Sequence, residues 1–237
     1  MGNSITAVIQ VYKRPDYLNE MLEALRHQSC PPNNIIIVHN EGGVNIDYPK
    51  DVHVIYSSEN MKYHLRFAIG LLVKTDYIAF LDDDSIPGCK WFENCLQTIN
   101  KHDCVCVTNG RIVHFNNMSW GCPGWGNPSD SEVECDFGGH SWFLKTKNLK
   151  YMWFDDVYEY NNGEDIQLSA NCKRFGNIPT FVPPHPINDK ALWGSLKGIE
   201  MGADAVASYK VNPVHYQQRW DLLYKYKQLG WKTISNG

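Results

Sequence analysis

The sequence has no C-x-x-C pair, no basic patch, no run of like charges and no internal repeat. Each absence excludes something. Without paired cysteines at ligand spacing, a structural zinc site has no basis. With a formal net charge of -4 and no clustered lysines or arginines, nucleic acid is not an expected partner. No apolar stretch is long enough to span a bilayer. No secretory leader reads ahead of the first strand, so the eight cysteines are expected as reduced thiols and the chain is expected in the cytoplasm. The opening Met1-Gly2-Asn3-Ser4-Ile5-Thr6 fits a loose myristoylation pattern, but a strand that begins at Ile5 leaves Gly2 little reach.

What is present is a chain of 237 residues, long enough for one well-buried α/β domain. Short β-branched runs alternate with helical stripes. Ile5–Tyr12, Ile35–His39, Val52–Tyr56, Tyr77–Leu81, Cys104–Thr108 and Phe137–Lys145 read as strands. Tyr17–His27 carries Leu18, Met21, Leu22 and Leu25 at helical spacing, and Tyr63–Lys74 carries Leu65, Ile69 and Leu72. Trp91–Ile99, Asp165–Phe175 and Arg219–Gln228 read as further helices. Residues 116–135 are rich in Gly, Pro, Ser and Asn and read as an irregular loop. The order implies a mostly parallel sheet with crossover helices, and ligands of such sheets bind beyond the carboxyl ends of the strands. Three polar segments end there: Lys13-Arg14, His39-Asn40-Glu41 and Asp82-Asp83-Asp84.

Three consecutive acids at the end of an apolar strand repel one another, and burial beside a sheet raises the cost. A divalent cation removes the conflict. Mg²⁺ and Mn²⁺ take carboxylate oxygens and bridge to substrate phosphates, so a diphosphate-bearing ligand makes sense of the triplet. A solvated acidic turn or a helix cap would use the same residues without a ligand. With 13 Tyr and 8 Trp, the chain has the aromatic faces a sugar cleft needs. Trp120, Trp125, Trp142, Trp153 and Trp193 suit such a cleft or a Trp-rich core equally.

Four segments together resemble a known family. Val11-Tyr12-Lys13-Arg14-Pro15-Asp16-Tyr17-Leu18 is similar to the opening strand and donor loop of GT-A-fold glycosyltransferases of the family-2-like kind. Phe80-Leu81-Asp82-Asp83-Asp84-Ser85-Ile86-Pro87 resembles their D-x-D segment. Gly138-Gly139-His140-Ser141-Trp142-Phe143 resembles their glycine pair before the acceptor-side strand. Gly163-Glu164-Asp165-Ile166-Gln167-Leu168 resembles their acidic pair at a helix start. The likeness covers most of residues 5–185. It implies a single GT-A domain, with a nucleotide-sugar-binding half over about 1–110 and a smaller acceptor-binding half over about 111–237.

The resemblance also assigns residues. Asp82 and Asp84 would ligate Mn²⁺ or Mg²⁺, with Asp83 in support. Tyr12, Lys13, Arg14, Asn40, Arg66, Asp82 and Asp83 would line the donor site. Arg66 reads equally as a surface helix arginine. A UDP-sugar is the favoured donor, although Asn40 stands where the family usually has an Asp. Gly139, His140 and Trp142 fall on the acceptor side, where a glycan or other hydroxyl acceptor is expected. Asp165, with Glu164 beside it, is the expected general base of an inverting transfer, held at a helix N-terminus by backbone N–H groups. The alternative for this pair is simple capping. His185, within Pro183-Pro184-His185-Pro186, is a further metal-ligand candidate or a structural loop histidine. Three other readings stay open. One is a retaining GT-A enzyme. Another is a sugar-phosphate nucleotidyltransferase, disfavoured because no glycine-rich loop follows the first strand. The last is a carbohydrate-binding protein with an inactive donor site.

Overall fold

A computed structural model describes residues 3–201, 205 and 207–236. The acylation pattern at Gly2 lies outside these residues. β1 (Ile5–Val11), α1 (Leu18–Arg26), β2 (Asn34–His39), β3 (His53–Tyr56), α2 (His64–Gly70) and β4 (Tyr77–Asp82) form the first part. α3 (Trp91–His102), β5 (Val105–His114), β6 (Ser119–Gly121), β7 (Val133–Cys135) and β8 (Phe137–Lys145) follow. A 3₁₀ helix (Thr146–Trp153), α4 (Glu164–Gly176), β9 (Thr180–Val182), α5 (Gly198–Met201), α6 (Ser208–Val211) and α7 (His215–Gln228) complete the main elements.

Among the described residues the strands make one nine-stranded sheet, ordered β3-β2-β1-β4-β8-β5-β9-β7, with β6 added on β5. β1 to β4 run parallel, as the crossover spacing predicts. β8 enters antiparallel between β4 and β5. β1 alternates faces in the ordinary way of a strand. Ile5, Ala7, Ile9 and Val11 pack against α1 and α3, and Val8 packs against α2, α4 and the 3₁₀ helix. A third cluster joins the far end of β5 to α4 and α7 through Val113, Phe137, Ile166 and Leu223. All eight cysteines are free thiols, and the buried Cys104 and Cys106 sulfurs lie 3.8 Å apart on one face. Among the described residues no helix is long and apolar enough to cross a membrane.

Three elements differ from the sequence reading. α1 buries the expected Leu18, Met21, Leu22 and Leu25. α2, in contrast, stops at Gly70 and buries His64, Arg66 and Phe67 most deeply; Leu65 and Ile69 of the expected stripe are half-buried against the core, while Leu72 is 77% exposed. Burial of Arg66 is possible because two carboxylates meet it. β5 does not end at Thr108. Its register shifts between Val107 and Asn109, and the strand continues to His114 beside β8. Residues 116–135 contain β6 and β7, so the loop there is partly ordered by the sheet.

Candidate active site

Register explains why the site forms where it does. Gln10 pairs with Asp82, so β1 and β4 end side by side, and Leu81 pairs with Ser141, which sets His140 next to Asp82. The backbone N–H of Tyr12 donates to Asp83 Oδ2 at 2.9 Å. Arg14 Nη1 bridges Asp83 Oδ1 at 3.1 Å and Asp84 Oδ2 at 2.9 Å. The Ser85 hydroxyl donates to the His140 carbonyl at 2.5 Å, tying the acidic turn to β8. His140 itself has φ 70°, the left-handed region where a residue with a side chain is held only by its surroundings.

These groups open onto a cleft of about 500 Å³. Arg66 forms its floor. Its guanidinium bonds Asp82 Oδ1 through Nη1 and Glu164 Oε1 through Nη2 at 3.3 Å, and it lies 4.5 Å above the Trp142 ring. Burial works against the Arg66 charge, but Asp82 and Glu164 outweigh it and hold the group cationic. The opposite wall comes from the start of α4 and from α7. Gly163, at φ 81°, turns the chain into α4 with Glu164 and Asp165 in the first turn. Arg219 of α7 meets Asp165 with both nitrogens, Nη1–Oδ1 at 3.1 Å and Nη2–Oδ2 at 2.7 Å. Asn162 accepts from the same Arg219 and donates to the His215 carbonyl at 2.9 Å.

The electrostatics follow from this packing. Burial pushes the Asp83 carboxyl up to about 7, against the pull of Arg14. Burial would also raise Asp84, but His140 and Arg14 together hold it below its ordinary value. Burial and the neighbouring Asp165 charge push Glu164 up to about 7, opposed by Arg66.

Asp82, Asp84 and His140 offer ligand atoms within 4.8 Å of one another. His140 Nδ1 lies 3.5 Å from Asp84 Oδ1 and 3.8 Å from Asp82 Oδ2. Those gaps are too long for hydrogen bonds. Ligands about 2.1 Å from a shared ion stand roughly 3–4 Å apart, as these atoms do. Asp84 Oδ1 and His140 Nδ1 are buried without a hydrogen-bond partner, and a divalent cation between them would satisfy both. The residues present fit such an ion.

The structure brings together Tyr12, Arg14, Arg66, Asp82, Asp83, Asp84, Gly139, His140, Trp142, Glu164 and Asp165 around the cleft. It does not bring Asn40, Lys13 or His185 to the acidic turn. Asn40 is buried and organises residues 60–62, donating to Asn60 Oδ1 and the Lys62 carbonyl and accepting from Met61 N–H. Lys13 is exposed, with its ammonium 5.1 Å from the Tyr12 ring centre. His185 is fully buried. Its Nδ1 faces the Pro183 carbonyl at 2.7 Å and its Nε2 accepts from Gly194 N–H at 3.2 Å, so neither nitrogen is left for a metal. The histidine beside the carboxylates is His140, expected from sequence on the acceptor side. Trp142, 1% exposed beneath Arg66, cannot stack on a sugar. Trp120 and Trp125 are the cleft's half-buried indoles, while Trp153 and Trp193 do not line it. Sequence reasoning missed Arg111 and Arg219, which also line the cleft. Helical spacing placed Arg219 in a terminal helix, but nothing local marked its face.

The Glycosyl transferase family 2 sequence model matches residues 6–129. This match runs from β1 through the acidic turn and into the loop after β6. The chain belongs to that family. Among solved structures it is similar to the crystal structure of S. aureus TarS, with a TM-score of 0.53 and 16% identity over 76% of this chain. The chain spans 35% of the length of that protein, and the likeness shows a shared GT-A-type fold. No curated protein sequence matches the chain.

Proposed function

We propose that the protein transfers a sugar from a nucleoside-diphosphate donor, with UDP-sugars favoured, to a hydroxyl acceptor, inverting the sugar carbon and using Mn²⁺ or Mg²⁺. The observation that carries this reading is the pairing of the two aspartates. Asp82 gives one oxygen to Arg66 and Asp84 gives one to Arg14, and each turns its other oxygen toward His140 Nδ1. Asp84 Oδ1 and His140 Nδ1 are buried and face each other at 3.5 Å without a hydrogen bond, a demand that a cation between them would meet.

Asp82, Asp84 and His140 would hold the cation, whose part is to offset the charge that builds on the departing diphosphate. Mixed carboxylate and imidazole ligands suit Mn²⁺. Tyr12 and Arg14 are assigned to the nucleotide end, and Arg66 fixes Asp82 while linking it to Glu164. Asp165 is assigned as general base. The acceptor oxygen attacks the sugar carbon on the face opposite the diphosphate, the carbon–oxygen bond to the diphosphate breaks, and the acceptor proton passes to Asp165. Asp165 Oδ1 accepts from Arg219 Nη1 and from the Ile166 N–H at 2.9 Å, whereas Oδ2 accepts from Arg219 Nη2 alone, so Oδ2 is the oxygen that keeps an acceptor position for the proton.

A thermal-shift screen of UDP, GDP, dTDP and CMP, each with and without Mn²⁺, tests the donor site. A stabilisation by one nucleotide that requires the metal is expected, and it should disappear in Asp84→Ala. Asp165→Asn should keep that stabilisation and lose most transfer, by about 10²–10⁴-fold. No metal-dependent shift from any nucleotide would overturn the donor assignment. Near-normal turnover of Asp165→Asn would remove Asp165 from the mechanism.

A further inference from the structure

Four arginines line the cleft, and three of them face carboxylates. Arg14 meets Asp83 and Asp84, Arg66 meets Asp82 and Glu164, and Arg219 meets Asp165. Arg111 is the exception. Its Nη1 donates to Asn109 Oδ1 at 2.6 Å and to the Gly110 carbonyl at 2.7 Å, both uncharged. Among the described residues it forms no ion pair. Asp136, between β7 and β8 with its N–H on the Arg111 carbonyl, is already used: its two oxygens accept from the backbone N–H groups of Val113 and Ile234 at 2.7 and 2.8 Å. Burial and the nearby Arg219 charge act against the Arg111 proton, only partly offset by the Asp165 carboxylate, yet a guanidinium keeps its charge in any protein setting.

Position adds to this. Arg111 lies past the register shift in β5 and pairs across the ladder with Phe137, whose ring centre is 5.2 Å from the Arg219 guanidinium. It therefore sits on the Asp165 side of the cleft. A neutral substrate that filled this side would strip water from a half-buried cation and give nothing in return. An anion would supply the missing charge and accept the guanidinium's remaining donors.

We propose that Arg111 is a specificity residue that binds an anionic group, a carboxylate or a phosphate, carried by the substrate beside the reacting position. This deepens the glycosyl-transfer reading and rests on it. The anion belongs either to the acceptor or to the transferred sugar, and the two sources separate experimentally.

The full chain is titrated in two arms. In the first, glucuronate and glycerol 3-phosphate are compared with glucose and glycerol, with and without UDP and Mn²⁺. In the second, UDP-glucuronate is compared with UDP-glucose in the presence of Mn²⁺. The acidic member is expected to bind about tenfold more tightly than its neutral counterpart in one arm, as a charge-assisted contact provides. Arg111→Gln should abolish that preference and leave UDP affinity unchanged, and Arg111→Lys should retain part of it. Preference in the first arm assigns the anion to the acceptor, and preference in the second assigns it to the sugar. Equal affinities in both arms overturn the proposal, as does a preference that survives Arg111→Gln, which would belong to the metal or to another arginine. The wild-type comparison stands even if Arg111→Gln fails to fold. Loss of nucleotide binding is read separately in the same titrations and bears on the transfer reading alone.

Discussion

Arg219 holds Asp165 by both carboxylate oxygens, at 3.1 and 2.7 Å, from a helix 54 residues further along the chain. A bidentate pair of this kind fixes the plane of the carboxylate as well as its place. Arg219 is therefore a positioning residue for the assigned base. Arg219→Ala is expected to lower kcat by about 10–100-fold through lost orientation, while Mn²⁺–UDP affinity stays unchanged. Arg219→Lys should recover only part, because an ammonium cannot reproduce the fork. Steady-state kinetics beside nucleotide titrations check this, and an equal loss in donor affinity would argue for a general structural role.

The glycine pair before β8's polar turn splits into two different requirements. A methyl group at Gly138 would meet Val107 Cγ2 at 2.5 Å and the Asn109 carbonyl oxygen at 2.7 Å. Gly138→Ala should thus destabilise the fold by about 1–3 kcal/mol, visible as a lower Tm. At Gly139 the nearest atom would be Asp165 Oδ2 at 3.9 Å, so a side chain fits but projects into the cleft beside the base. Gly139→Ala is expected to leave Tm unchanged and to raise the acceptor KM. If Gly139→Ala melts early while its kinetics stay normal, the space there serves packing and not the acceptor.

His140 supplies the third corner of the acidic cluster, 3.5 Å from Asp84 Oδ1. His140→Ala should weaken Mn²⁺ binding by at least about tenfold and leave nucleotide binding in the absence of metal unaltered. Calorimetry with Mn²⁺ alone and with UDP alone separates the two. Wild-type metal affinity in the variant would take the imidazole out of the site.

His185 gives a stability signal with a defined sign. Burial holds its ring down to about 4, below the ordinary histidine value, and both nitrogens are engaged by the backbone. Above about pH 6.5 neither state carries the proton and there is no effect. As pH falls from about 6.5 toward 4, the unfolded chain takes up a proton that the native ring refuses, and stability drops by about 1.4 kcal/mol per pH unit. The loss approaches about 3 kcal/mol and levels off once the native ring titrates. Denaturant midpoints measured from pH 7.5 to pH 4 in the wild type and in His185→Gln check this. An equally steep acid dependence in the variant would assign the loss to other groups.

The parts of the site carried by local pattern were legible in the sequence. The apolar run Tyr77–Leu81 announced β4, and the acids that follow it had only one place to go. Glu164 and Asp165 were visible because a glycine and a helix start flank them. What stayed hidden depends on pairing between distant strands. His140 reaches the aspartates only because β8 lies antiparallel against β4, and nothing in Gly138-Gly139-His140 specifies that neighbour. Arg111 falls in a stretch of β5 that breaks the apolar pattern after Val107, where periodicity had already ended the strand. Asn40 and His185 looked chemical because of their residue type. Their hydrogen-bonding capacity is instead spent on backbone and on Asn60, which no single-sequence pattern distinguishes from a ligand role.

The pairing of Asp165 with Arg219 also sets an order of events during synthesis. β1, β4 and the acidic turn emerge early and can pack as soon as β8 joins them. Asp165, the proposed base, meets Arg219 only after α7 has been made and has docked through Trp220, Leu223 and Tyr226. A chain interrupted before that helix would keep the aspartates of the nucleotide end without a correctly aimed acceptor of protons. On the proposed assignments, the growing polypeptide would gain the residues that hold a donor before it gained the arginine that orients the base.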